Sequence, residues 1–385
     1  MSNRKKILIT IDWFLPGTRS GGPVRSYANL IDHLNDDFEF YIITRNTDYG
    51  STKSYENITP NSWVSLNAYT KVYYISPDRL SKSHFKSVFE SIHFDVAYIN
   101  GIYSYYFSIL PIVLLKKFKK PIIISARGML NPQAFSVKGK RKKLFLNVFK
   151  RLGFYNKVSF HATNLDEQAH IKSIIFRNSL VKVAPNLPRK SNLDIQLKLQ
   201  KQSPTTFVNV GRISIEKGTL VMLSALQQLN KPLILDLYGP IYDPAYWEAC
   251  KTIIKKLPND IKVTYQGVLD SEQVPQVVNK YDFFVLLSEG ENFGHAILEG
   301  LSVGCPVLIS NCTPWKNLRS QYLGWDVNIK KESDIIEAWK EAIEMSNSDY
   351  LKWSKAAFQY AKNVINNPIV LEQNKALFLN PNNKE

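Results

Sequence analysis

Thr206-Phe207-Val208-Asn209-Val210-Gly211-Arg212-Ile213-Ser214-Ile215-Glu216-Lys217-Gly218 reads as a short apolar strand that ends in a glycine turn and leads into a helix starting near Thr219. A helix N-terminus presents unpaired N–H groups and about half a positive charge, so a lysine there is unfavourable unless an anion is bound. Arg212 and Lys217 are therefore candidates for clamping a diphosphate. The competing reading is two solvated surface cations beside a glycine turn.

Outward from this turn, short β-rich runs alternate with helical patterns, the arrangement that builds parallel sheets covered by helices on both faces. Before it the expected strands are Lys6 to Ile11, Phe38 to Thr44, Lys71 to Ile75, Asp95 to Ile99, Pro121 to Ser125, Val158 to Ala162 and Val181 to Ala184. After it they are Leu233 to Tyr238, Lys262 to Tyr265, Phe283 to Leu287 and Pro306 to Ile309, followed by a long helical tail from Ser333. Pro185 to Pro204 interrupts the rhythm with three prolines and no apolar period, as a linker does. The expected fold class is thus α/β in two halves: a domain at 1–187, a linker at 188–204, a second domain at 205–368, and a tail at 369–385 that packs back on the first. In open sheets of this kind ligands sit beyond the carboxyl ends of the strands, which favours a cleft between two facing domains.

A length of 385 residues, with 44% hydrophobic and 21% charged, excludes a single small module and a disordered chain. Lys and Arg number 49 against 33 Asp and Glu, and the net charge of +16 calls for an anionic partner. Three cysteines (Cys250, Cys305, Cys312) without a C-x-x-C pair support neither a disulfide framework nor a structural zinc site, and point to a reducing cytoplasm. The apolar start at Ile7 to Ile11 breaks at Asp12, too short for a signal-peptide core. The longest apolar run, Phe107 to Leu115, contains Pro111 and falls far short of the roughly 20 residues that span a bilayer.

A second constellation, Ser288-Glu289-Gly290-Glu291-Asn292-Phe293-Gly294-His295-Ala296-Ile297-Leu298-Glu299-Gly300, directly follows the strand Phe283 to Leu287. With a helix beginning near Phe293, Glu299 lies in line with Ala296 and Val303, so a carboxylate sits on the face that packs inward. Vicinal ribose hydroxyls would satisfy both its oxygens. Glu291, at the turn, is placed to accept hydrogen bonds from a sugar, and the N–H groups of Asn292, Phe293 and Gly294 are placed to face phosphate or sugar oxygens. Alternatively, Glu289 and Glu291 complement the helix dipole and Glu299 forms an internal salt bridge.

Taken together, these residues resemble the retaining nucleotide-sugar glycosyltransferases of family 4, which have the GT-B fold. Glu291 and Glu299, with seven residues between them, match the family's E-x7-E, and Gly211, Arg212, Lys217 and Gly218 match its G-R-x4-K-G element. The two motifs come in the family's order, about 80 residues apart, and Gly304-Cys305-Pro306-Val307 matches the segment after the second glutamate. The resemblance extends to Gly21-Gly22, which fits the glycine-rich loop near the donor phosphates, and to Pro185-Asn186 before the linker; as plain residues both also read as turns. It implies two facing Rossmann-like domains, the first on the acceptor side and the second binding the nucleotide sugar. Arg212 and Lys217 would then stabilise the departing diphosphate, Glu299 would hold the ribose and Glu291 the transferred sugar. Retention would proceed by front-face displacement with no metal or other cofactor. Two departures stand out: Ser125-Ala126-Arg127-Gly128 replaces the commoner histidine-glycine pair, and Asn292 stands where glycine is commoner. Arg127, with Asn186, is a candidate for the acceptor or phosphate side, and as a permanent cation it is no acid or base.

From Lys116 to Lys157 thirteen cations (Lys116, Lys117, Lys119, Lys120, Arg127, Lys138, Lys140, Arg141, Lys142, Lys143, Lys150, Arg151, Lys157) occur with no Asp or Glu. Within this segment Phe145, Val148, Phe149 and Leu152 form an apolar stripe at helical spacing. That pattern fits either an interfacial helix drawn to anionic lipid or a core-packing helix with a solvated basic face. Nucleic acid is not an expected partner, because no recognised binding motif accompanies the charge. By the resemblance, the leading expectation is transfer of a hexose from a UDP- or GDP-sugar to an acceptor hydroxyl, with a lipid-linked glycan of bacterial surface polysaccharide as acceptor. Localisation would be cytoplasmic, peripheral on the inner face of the membrane. The alternatives are a GT-B nucleotide-sugar epimerase and a non-catalytic sugar-nucleotide or nucleic-acid-binding protein.

Overall fold

The computed structural model describes residues 4–131, 135, 139–190 and 196–382. The chain divides into two compact units, Met1–Lys190 with Asn367–Glu385, and Ser191–Asn366.

In the first unit the order along the chain is β1 (Lys5–Thr10), α1 (Gly22–Leu34), β2 (Phe38–Arg45), β3 (Trp63–Asn67), β4 (Thr70–Ile75), α2 (Lys82–Glu90), β5 (Val96–Asn100), α3 (Leu110–Leu115), β6 (Ile122–Ser125), α4 (Gly139–Arg151), β7 (Ser159–Ala162), α5 (Leu165–Ile174) and β8 (Val181–Val183). The eight strands lie in the order β3-β4-β2-β1-β5-β6-β7-β8, all parallel except β3, which runs antiparallel to β4. Successive side chains of β1 enter different cores: Ile7 and Ile9 join one apolar cluster and Leu8 the other. A strand buried on both faces in this way is uniformly apolar, which is why these runs were legible without alternation.

The second unit comprises β9 (Thr205–Val210), α6 (Thr219–Leu226), β10 (Leu233–Tyr238), α7 (Pro244–Ile254), β11 (Ile261–Gly267), α8 (Val274–Val278), β12 (Phe283–Leu286), α9 (His295–Ser302), β13 (Val307–Ser310), β14 (Gly324–Val327), α10 (Glu332–Glu344) and α11 (Asn347–Ile365). Its six strands are all parallel, in the order β11-β10-β9-β12-β13-β14. In order of appearance this is 3-2-1-4-5-6, the doubly wound Rossmann order, whose chain direction reverses between the first and fourth strands. That switch point lies between β9 and β12, the strands that deliver the two motifs. Here too Phe283 and Val285 enter one core while Phe284 and Leu286 enter the other.

The last helix, α12 (Pro368–Leu379), belongs to the first unit. Phe378 packs edge-on against Phe38 and Tyr98, and Asn374 donates to the Pro185 carbonyl at 2.8 Å.

Three expectations need correction. The tail from Ser333 is three helices, broken at Met345-Ser346 and again at Asn366-Asn367, after which Pro368 takes the first helical turn of α12. β3 and β14 were not foreseen: β3 is a half-exposed edge strand, and β14 opens on Gly324, where a Cβ would lie 1.8 Å from the Val307 carbonyl oxygen. Within the segment expected as a linker, the described residues 196–204 are held by the second unit: Lys198 pairs with the buried Asp282 at 3.1 Å and Lys201 donates to the carbonyl of Ala342. On α4 the apolar stripe splits: Phe145 and Phe149 stack on each other and pack inward around the buried Leu146, whereas Val148 and Leu152 face outward. Lys138 lies outside the described residues.

Candidate active site

In the second unit, β9 runs out at Val210 and the chain turns through Gly211 into a single tight helical turn, Ile215–Lys217, before α6. Gly218 joins the two at φ 67, where a Cβ would sit 1.9 Å from the Leu287 carbonyl oxygen. Only glycine permits so close a seat against the chain leaving β12. The Glu289 N–H donates to the Glu216 carbonyl at 2.9 Å, which fastens the two loops to each other.

This seating brings the sequence-predicted charges together. Lys217 Nζ lies 2.5 Å from Glu291 Oε1, and the Ser288 hydroxyl donates to the same oxygen at 2.6 Å. The helix-dipole reading of Glu291 is thereby corrected: its partner is Lys217. Glu291 Oε2 has no hydrogen-bond partner among the described residues. Arg212, half-buried on the same loop, has no hydrogen-bond acceptor or ion-pair partner among the described residues. An ammonium carries three donors and a guanidinium five, so Lys217 can keep Glu291 and still donate to an anion beside Arg212. The Arg212 and Lys217 cations also help hold the neighbouring Glu216 carboxyl below the usual carboxylate range, after hydrogen bonds from its own backbone and from Ser214.

Past β12 the chain forms α9 two residues later than expected, capped by Gly294 at φ 80 with no side-chain hydrogen bond to its first turn. Trp315 Nε1 donates to the Phe293 carbonyl at 2.6 Å and fixes that entry. Asn292 Oδ1 is buried without a hydrogen-bond partner among the described residues, a polar atom that a donor group of a ligand would satisfy. Glu299, in the second turn of α9, is buried as its helical phase requires. Thus Gly211, Arg212, Lys217, Glu291, Asn292, Phe293, Gly294 and Glu299 all gather at the switch point of one sheet.

Gly21, Gly22, Arg127 and Asn186 belong to the first unit. Gly21, at φ 76, caps α1 without a side-chain bond, and a Cβ on either glycine would meet nothing within 4 Å. The space beside both glycines is open, so a phosphate could approach the backbone closely, although the Gly21 N–H already donates to the Thr18 carbonyl at 3.0 Å.

Arg127 and Asn186 do come together, but as parts of an internal network. Arg127 donates to Asn186 Oδ1, to the Tyr98 hydroxyl at 3.1 Å, and lies over the Tyr27 ring at 4.7 Å. Tyr98 donates to His161 Nδ1 at 2.6 Å, and His161 Nε2 donates to the Ala184 carbonyl at 2.7 Å. Burial and the Arg127 cation push the His161 pKa down to about 3, so the neutral ring supplies one acceptor and one donor, as this geometry requires. Arg127 itself takes φ 51, a strained backbone region for a residue with a side chain. Glu167 pins the turn, accepting from Gly128 N at 2.6 Å and from Thr163 N and Oγ1. Arg127 so engaged is a tie within its unit, and its Nε is buried with no hydrogen-bond partner among the described residues.

Sequence reasoning did not single out Asp12, which leaves β1 into the loop before Gly21. Its Oδ1 accepts from the Ser104 hydroxyl at 2.8 Å and from Arg45 at 3.3 Å, and burial raises its carboxyl above the usual range. The only sequence signal was its interruption of the apolar run Ile7 to Ile11.

Comparison with known proteins agrees with this geometry. Residues 190–360 match the family model described as glycosyl transferases group 1. The chain is 27% identical over 258 residues to a GDP-mannose:cellobiosyl-diphosphopolyprenol alpha-mannosyltransferase of Xanthomonas oryzae pv. oryzae (strain PXO99A), covering 65% of this chain and 64% of that protein. It is 28% identical over 123 residues to the sulfoquinovosyl transferase SQD2 of Arabidopsis thaliana, covering 31% of this chain and 22% of the relative. The chain thus spans less than two thirds of either relative. Among solved structures it is similar to a sucrose-phosphate synthase from Thermosynechococcus elongatus, with TM-score 0.71 and 17% identity over 98% of both chains. With a Rossmann order in its second sheet and this likeness over both parallel-sheet domains, the chain has the GT-B fold.

Proposed function

We propose that this protein is a retaining glycosyltransferase of the family 4 type, which moves a hexose from a nucleotide diphosphate sugar to an acceptor hydroxyl. The observation that carries the reading is the contact of Lys217 with Glu291 beside Arg212, which joins two motifs 74 residues apart at one switch point. A paired carboxylate and ammonium on the loop of a guanidinium unpaired among the described residues suit a bound sugar diphosphate better than a free anion. The cations face the phosphates while the remaining Glu291 oxygen accepts from a sugar hydroxyl.

In this reading the bond from the sugar anomeric carbon to the diphosphate oxygen breaks, and its electron pair leaves with the diphosphate. Arg212 and Lys217 stabilise that developing charge, a contribution of preorganised donors that is commonly the largest single one in such sites. The acceptor oxygen bonds to the anomeric carbon from the same face, and its proton passes to the departing phosphate oxygen. Glu299 accepts from the ribose hydroxyls. The two cations supply the charge compensation that a metal provides elsewhere, so no metal cofactor is part of the proposal. Similarity to a transferase acting on a diphosphopolyprenol supports a lipid-linked glycan as the acceptor and a place at the cytoplasmic face of the membrane.

The test is nucleoside diphosphate release from a panel of UDP- and GDP-sugars, by wild type and by Arg212→Ala. Release from one donor, lost in the variant, is expected; no release from any donor, with nucleotide binding intact, would favour the non-catalytic alternative.

A further inference from the structure

The outward face of α4 takes no part in the donor site, and its composition is unusual. Leu144, Val148 and Leu152, each four residues from the next, are 66%, 44% and 75% exposed. They form one ridge along the helix and over its C-terminal end. Lys140, Arg141, Lys143 and Arg151 are also exposed and have no ion-pair partner among the described residues. On a helical wheel Lys140, Arg141 and Arg151 fall within the same sector as the ridge, with Lys143 beside it. The cations that do have partners point elsewhere: Lys142 lies over the Tyr103 ring, Lys150 donates to the Ile174 carbonyl, and Lys116 donates to the Phe154 carbonyl. Phe145 and Phe149 are held inward against the core by their stack with each other and by the edge of Phe154. The ridge is therefore not a packing face left incomplete; the helix already has its core side.

We propose that this face of α4 docks the protein on an anionic lipid bilayer, with Leu144, Val148 and Leu152 entering the headgroup boundary and Lys140, Arg141, Lys143 and Arg151 meeting lipid phosphates. The purpose of the contact rests on the lipid-linked acceptor reading, but its chemistry does not. Aliphatic side chains interleaved with cations match a surface that is apolar below and anionic above. A nucleic acid backbone would satisfy the cations but leave the ridge in water, and no exposed aromatic ring lies on this face to stack a base. A second copy of the chain would oppose like charges, since no Asp or Glu occurs from Lys116 to Lys157.

The experiment is co-sedimentation of the full chain with vesicles of phosphatidylcholine alone and with about one third phosphatidylglycerol. The variants are Leu144→Ser with Leu152→Ser, and Lys140→Ala with Arg141→Ala and Arg151→Ala; all these positions are exposed, and thermal melts verify the fold. Wild type is expected to bind only the anionic vesicles, less so at high salt. The cation variant should bind about 100-fold more weakly, at about fivefold for each of its three charges, and the leucine variant at least roughly tenfold more weakly. No binding to anionic vesicles overturns the proposal, as does binding that the leucine variant leaves unchanged. Binding of a single-stranded RNA that competes with vesicles and survives the leucine substitutions would assign the face to nucleic acid instead. The same variants should keep the thermal shift given by a nucleoside diphosphate, so failure at the membrane stays distinguishable from failure of the donor-site reading.

Discussion

Two arginines, each placed just beyond the carboxyl end of a parallel strand, have opposite fates. Arg127 follows β6 in the first unit and is bound by Asn186, Tyr98 and the face of Tyr27. Arg212 follows β9 in the second and has no such partner among the described residues. The difference lies in the neighbours that each sheet supplies. Beside β6 the adjoining strands carry Tyr98 and His161, whose hydrogen-bonding atoms point at the guanidinium or at each other. Beside β9 the adjoining strand end offers Glu291, and Lys217 takes it. One arginine is thus a tie within its domain; the other has no hydrogen-bond acceptor among the described residues, as its proposed part in a diphosphate clamp requires.

The sharpest way to break this contrast is to remove each cation. Arg212→Ala or Lys217→Ala should lower kcat/KM by about 10²–10³ with little change in stability, since each removes preorganised charge at the leaving group; steady-state kinetics and a thermal melt check both halves. Arg127→Met should do the reverse, destabilising the fold by about 2–3 kcal/mol through the unsatisfied Asn186 and Tyr98 partners while leaving nucleotide binding intact, as a denaturant titration with and without nucleotide would show. Glu291→Gln keeps the shape but removes the charge that holds Lys217, and should lower kcat/KM by roughly 10- to 100-fold.

A pH titration sharpens the account of the internal network. His161 has its pKa pushed down to about 3 in the fold, against about 6.5 unfolded. Below pH 6.5 the unfolded chain therefore binds a proton that the folded chain refuses. Its contribution to stability is complete above pH 6.5 and is lost as pH falls towards 3, by up to about 1.4 kcal/mol per unit. His161→Gln should flatten that slope in urea titrations at stepped pH. The smallest effect is expected from chelation: EDTA should leave the transfer rate unchanged, and a loss restored by magnesium would revise the role given to the two cations.

What was legible in the sequence follows the range of the interactions. The apolar strands and the two strand–turn–helix motifs are local, so their residue order carried them into view. The Lys217–Glu291 contact spans 74 residues and came only with the resemblance and the strand order. The tie of Arg127 depends on Tyr98 and Asn186, 29 and 59 residues away, and no local pattern announces it. On α4 the phase was ambiguous for a different reason. Phe145 with Phe149 and Leu144 with Val148 are both four apart, and periodicity alone cannot say which pair faces the core. The aromatic pair wins because its rings stack on each other and reach Phe154, beside the buried Leu146.

The most direct measurement is a thermal-shift comparison of wild type, Arg212→Ala and Arg127→Met with UDP, GDP, ADP and CMP, because a ligand that binds only the folded state raises its apparent stability. One nucleoside diphosphate should raise the melting temperature of wild type and of Arg127→Met, from the lower starting point of the latter, and leave Arg212→Ala unmoved. A shift that survives in Arg212→Ala, or is lost in Arg127→Met while that variant remains folded, would contradict the division of roles between the two arginines.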